Sequence, residues 1–96
     1  MSKYVYPAIF TQEDDGGYSI TFPDIEGCYT QGDNLQDALD MAEDALCLVL
    51  YQLEEDQKAI PKPSNLKTIS VDANSFVSLI SCDTLEYRKF YDNKAE

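Results

Sequence analysis

Ninety-six residues suffice for one domain with one core but bury no more than about two-thirds of the unfolded surface, so a two-layer packing of sheet and helix is expected. Eighteen acidic against seven basic side chains, with no histidine, give a net charge of −11, which opposes nucleic-acid backbones and favours basic partners. No apolar run reaches the roughly 18 residues of a membrane span and no signal-peptide core follows Met1, Ser2 and Lys3, so a soluble, cytoplasmic protein without membrane contact is expected.

The first strand is read over residues 4–11, where Tyr4, Tyr6, Ala8 and Phe10 alternate with Val5, Pro7, Ile9 and Thr11. Pro7 cannot donate to a ladder, which places this strand at a sheet edge or turns the missing donor to solvent. Glu13 to Gly17 form a polar, glycine-terminated loop suited to closing a hairpin with a second strand that starts at Tyr18. Pro23 stops that strand. A turn follows, in which Asp24 is expected to bond its own backbone two residues on and Gly27 to take a positive φ, before a short third strand over residues 28–31.

The most regular element comes next. Leu35, Ala38, Leu39, Ala42, Ala45, Leu46, Val49, Leu50 and Leu53 recur at steps of three and four, one apolar stripe about five turns long. Asp33 or Asn34 caps its start, and Asp37 complements the dipole in the first turn. Glu54, Glu55 and Asp56 stand at the other end, where the dipole disfavours anions, so either they are tolerated or they face something basic. Ile60-Pro-Lys-Pro-Ser64 makes an extended connector. Residues 68–71 and 76–82 read as strands, the second an interior one because both its faces carry apolar residues. Asp83 caps a short second helix in a D-x-x-E pattern with Glu86, Leu85, Tyr87, Phe90 and Tyr91 supply its apolar contacts, and Asn93 to Glu96 fray. Cys28, Cys47 and Cys82 match no metal-ligand spacing, and their odd number leaves no closed disulfide set, so reduced core cysteines are expected.

Tyr6-Pro7-Ala8, Gly16-Gly17-Tyr18, F-P-D-I-E-G-C from Phe22 to Cys28, Thr30 with Gly32-Asp33, A-L-x-x-A-x-x-A-L from Ala38, and I-P-K-P-S from Ile60 together resemble the HicB antitoxin family over residues 4–91. The resemblance implies an α+β fold, a partial ribonuclease-H-like β-β-β-α-β domain with one long helix packed on a small mixed sheet, plus a short C-terminal helix. It further implies a type II antitoxin that binds and occludes HicA, a small basic mRNA-cleaving ribonuclease. Many HicB proteins continue into a helix-turn-helix or ribbon-helix-helix segment. The 96 residues are expected to form a single domain without such a DNA-binding module.

Catalysis is not expected. Asp24, Glu26, Asp33 and Asp37 lie near the turn, but nothing in their spacing forces the convergence that two-metal chemistry needs, and no nucleophile motif or phosphate-binding glycine loop is present. No cofactor or metal is implied. Seven tyrosines and four phenylalanines would suit base stacking only inside a basic groove, whereas Lys58, Lys62 and Lys67 are the one local basic cluster. The reading is therefore a protein-binding domain whose candidate partner-facing residues are Asp24, Glu26, Asp37, Asp40, Glu43 and Asp44, with a HicA-like toxin as partner and a homodimer or higher homo-oligomer as assembly. An orphan homo-oligomeric module without a toxin, or an RNA-associated protein, is the alternative.

Overall fold

The computed structural model describes residues 3–94. The alternation of the first segment becomes β1 (Lys3–Gln12), whose Tyr6, Ala8 and Phe10 are fully buried on one face. β1 forms a hairpin with β2 (Tyr18–Thr21), Phe10 opposite Ile20, closed where Glu13 N donates to Gly17 O at 2.8 Å. β2 then pairs with β3 (Tyr29–Gly32), Ile20 opposite Thr30. Between them Gly27 sits at φ +76°, a conformation that a side chain would strain. Gly32 is needed for another reason: a Cβ there would lie 2.5 Å from Ala38 Cα, so its absence lets β3 approach the helix.

That helix, α1 (Leu35–Glu55), starts at Asn34, whose side chain accepts from Asp37 N at 2.8 Å, while Asp37 accepts in return from Asp33 N at 2.9 Å. Of the two caps expected, Asn34 is the one used, and Asp33 contributes only its backbone N–H. Ala38, Ala42, Leu46 and Leu50 pack over Tyr6, Phe10, Ile20 and Ile80 as one core, each fully buried leucine contributing about 1.5–3 kcal/mol relative to exposure. The stripe is narrower than the periodicity implied, because Leu35 and Leu39 in the first turns of α1 remain exposed.

After the connector, β4 (Ser75–Asp83) returns beside β1, with Tyr6 opposite Ile80 and Phe10 opposite Phe76. The strand order is β3-β2-β1-β4 and every pairing is antiparallel, so the sheet is not the mixed one expected. The reason is where the connector delivers the chain. A helix of 21 residues carries it about 31 Å, and the connector then brings it back to the point where β1 ends, Gln12 N donating to Asn74 O at 2.9 Å; β4 must run opposite to β1.

Three further expectations are corrected. β1 is central, which rules out the edge offered as one of the two placements of Pro7; the proline is accommodated because pairing with β2 begins only at Ile9, so a missing donor on that flank breaks no ladder. β4, read as interior, is an edge: Leu79 on its outer face is 55% exposed. Residues 68–71 form no strand. Leu66–Thr68 instead make a single 3-10 turn capped by the Asn65 side chain, which accepts from Lys67 N at 2.9 Å.

The cysteines also depart from expectation. Cys28 is free and buried, its thiol 3.7 Å from the Ala45 carbonyl oxygen, but Cys47 of α1 and Cys82 of β4 are joined as a disulfide with Cα atoms 5.4 Å apart. Spacing along the chain carries no sign of this, since the packing of helix on strand creates the proximity. α2 (Thr84–Lys94) follows β4 directly, Asp83 accepting from Leu85 N at 3.0 Å and Glu86 N at 3.3 Å. It continues through Asn93 and Lys94, where fraying was expected; Ala95 and Glu96, and the contacts foreseen for the Tyr91 side chain, lie outside the described residues.

Candidate acidic groove

Burying Ala38, Ala42 and Leu46 on the sheet turns Asp40, Glu43 and Asp44 to the flank of α1 that overlooks β4. β4 ends at Asp83, and the cap that this residue supplies sets the first turn of α2, placing Glu86 and Tyr87 opposite. The result is a groove of about 440 Å³ walled by Asp40, Glu43, Asp44, Asp83 and Glu86 and flanked by Tyr87, with Cys47 in its lining. It continues along β4, where Leu39, Asp40 and Glu43 face Leu79, Ile80 and Ser81. Five carboxylates therefore share one concavity, and the nearby cation Lys89 lies 3.6 Å from Glu86.

Of the six residues singled out in the sequence, this brings together Asp40, Glu43 and Asp44. Asp37 is occupied in the helix cap. Asp24 does not bond its own backbone: it accepts from both the backbone N–H and the hydroxyl of Ser64, stapling the turn to the connector. Glu26 is exposed on that turn and does not line the groove. The Tyr6 hydroxyl donates to the Pro61 carbonyl beside this staple, and burial, with Tyr4 and Asp24 nearby, raises its pKa.

Asp83 and Glu86 escaped the sequence reading because their capping pattern already accounted for them. Of the two alternatives for the acids at the end of α1, Glu54 and Glu55 follow the second, and the basic group they face belongs to the chain's own α2. Glu55 pairs with Arg88 of α2 at 2.7 Å and Glu54 with the same guanidinium at 3.5 Å, while Arg88 lies 4.6 Å over the Tyr51 ring. Burial opposes ionisation of Glu54, but donors that include the Tyr4 and Thr84 hydroxyls outweigh it and hold the carboxyl below its ordinary value.

Among the described residues no three histidine, cysteine or acidic side chains are grouped to hold a metal ion, and no helix is long and apolar enough to cross a membrane. The groove and its continuation along β4 combine dense negative charge, an exposed leucine and the margin of a sheet.

A family model described as the HicB-like antitoxin of bacterial toxin-antitoxin systems matches residues 6–89. The chain belongs to this family. Antitoxin HicB 1 of Photorhabdus laumondii is 40% identical over 67 residues, covering 70% of this chain and 43% of that protein. The chain thus spans about half the length of the curated HicB relatives it matches. A chain of a toxin-antitoxin complex from Streptococcus pneumoniae superposes with a TM-score of 0.81 at 29% identity, covering 88% of this chain and 72% of that one. The N-terminal domain of the Burkholderia pseudomallei antitoxin HicB shares the fold, with a TM-score of 0.70 at 21% identity over 80% of this chain and 95% of that one. In this HicB-like chain the shared α+β architecture is what positions the acidic flank of α1 beside β4.

Proposed function

We propose that this chain acts in the cytoplasm as an antitoxin that neutralises a basic HicA-like ribonuclease by binding it, without chemistry of its own. The observation that carries the reading is the groove in which Asp40, Glu43, Asp44, Asp83 and Glu86 converge on a chain of net charge −11. A ribonuclease surface that binds RNA must be basic, and an acidic concavity of this kind competes for it directly. Membership of the HicB-like antitoxins supports the same partner. Self-association belongs to the reading as well, through α2, where Leu85 and Phe90 are 41% and 62% exposed; a sedimentation profile that is monomeric at about 100 μM would remove it.

The test is RNA cleavage by a purified HicA-like protein, sought as a short basic reading frame beside the gene of this chain. Stoichiometric addition of the purified chain is expected to abolish cleavage. Unchanged cleavage, with no complex by gel filtration, would leave an orphan module as the better account.

A further inference from the structure

The sheet has two margins, and only one is blunted. β3 has four residues, a short edge of the kind that resists pairing. β4 has nine, and from Ser75 to Cys82 it reads S-F-V-S-L-I-S-C, with no charge and no proline. Among the described residues its far side faces no strand, so alternate backbone N–H and C=O groups along it lack a ladder partner there. Beside that margin lie Leu39, 36% exposed, with the carboxylates of Asp40 and Glu43 on the helix side, and Leu79, 55% exposed, on the outer face.

We infer that the free margin of β4 takes up an extended basic segment of the partner protein as a fifth strand, its lysine or arginine side chains reaching the acidic flank of α1. This rests on the partner being basic, as in the function proposed above. The strand margin makes the site; the carboxylates select its occupant. A strand added there alternates its side chains. Those on the helix side meet Leu39, Asp40 and Glu43, which suits a long aliphatic stem ending in a cation, and those on the other side extend the outer face beside Leu79 and Val77, which suits an apolar residue. The chemistry therefore specifies a segment alternating basic with apolar residues, recognised by main-chain hydrogen bonds and sorted by charge. A second copy of this chain is disfavoured at this margin, because each copy brings 11 negative charges and the same acidic wall.

The experiment is hydrogen exchange read by NMR on the full chain, alone and with short blocked peptides alternating valine with lysine or valine with glutamate. The lysine peptide is expected to slow exchange of the outward amides between Phe76 and Cys82 about tenfold or more, and the glutamate peptide to leave them unchanged. Asp40→Asn, Glu43→Gln and Asp44→Asn together are expected to weaken the lysine peptide about tenfold at low salt, with protection of the β1 amides intact as evidence of folding. Protection by the lysine peptide elsewhere than β4, or equal protection by both peptides, overturns the inference. So does concentration-dependent protection of β4 in the chain alone, which would give this margin to a second copy. A HicA-like ribonuclease that is inhibited while β4 stays unprotected sinks the strand addition and leaves the antitoxin reading standing. Protection by the lysine peptide with no ribonuclease inhibited does the reverse.

Discussion

Thr84, fully buried at the first position of α2, donates its hydroxyl to Glu54 Oε2 at 2.9 Å, and so ties the last turn of α1 to the start of the second helix. The same oxygen accepts from Tyr4 at 2.8 Å. Thr84→Val keeps the shape and removes a donor to a carboxylate, so a loss of about 1 to 3 kcal/mol is expected by urea denaturation. The pH dependence has a definite sign. The folded pKa of Glu54 lies below its ordinary value, so its stabilisation is present above about 4.5 and is lost as pH falls through the depressed value. The variant should show a shallower loss over that acid window; an identical acid limb would separate Thr84 from Glu54.

Leu46 and Leu39 are both part of the apolar stripe and should respond differently. Leu46 is fully buried, and Leu46→Ala is expected to cost about 3 to 5 kcal/mol, whereas Leu39→Ala should cost less than about 1 kcal/mol. Comparable losses in chemical denaturation would mean that Leu39 is covered in solution.

That contrast also marks how far the sequence could be read. Local regularities were sufficient for β1, the Glu13–Gly17 hairpin, the length of α1, its Asn34 cap and the Asp83 cap, since each depends on periodicity or on a side chain bonding backbone a few residues away. Periodicity says which residues share a face, but not which strand lies beside which. The 3.6-residue stripe therefore could not reveal that Leu39 overhangs the margin of β4, nor the alternation in β4 that it runs along an edge. Partners set by long-range packing were equally silent: Ser64 for Asp24, Arg88 for Glu54 and Glu55, and Cys82 for Cys47. Three of the five carboxylates of the candidate site were legible because Asp40, Glu43 and Asp44 share one helix flank. Asp83 and Glu86 join them only through the turn from β4 into α2.

The cysteines give a prediction with a simple count. Denatured without reductant, the chain should release one titratable thiol, Cys28, and with reductant three; three in both conditions would mean that Cys47 and Cys82 are reduced in solution. Chain-entropy estimates for a loop of 35 residues put the cross-link at about 4 kcal/mol, to be read from denaturation with and without reductant. Burial pushes the Cys28 thiol up to about 11, so the fold favours its neutral form; that contribution is complete below about 9 and is lost as pH rises through 11. Cys28 should resist alkylation at pH 8 in the folded chain, and Cys28→Ala should flatten the fall in melting temperature between pH 9 and 11.

The acidic flank of α1 should act on the rate at which the partner is found. Asp40, Glu43 and Asp44 are exposed, so their attraction for a basic protein is screened by salt, whose Debye length is about 8 Å at physiological ionic strength. Exposed charge of this kind steers encounter, while buried contacts govern how slowly a complex parts. Replacing all three with lysine is therefore expected to slow association with a basic HicA-like ribonuclease about tenfold or more at low salt, to slow it much less at high salt, and to change dissociation little. The fold should be preserved, because the stripe that packs on the sheet runs through Ala38, Ala42, Leu46 and Leu50 on the opposite flank. Stopped-flow association at two salt concentrations, with far-UV circular dichroism to confirm the fold, reads both effects. An association rate unchanged at low salt would take the acidic flank out of partner capture, and a rate lowered equally at both salt concentrations would point to lost contacts instead of lost steering.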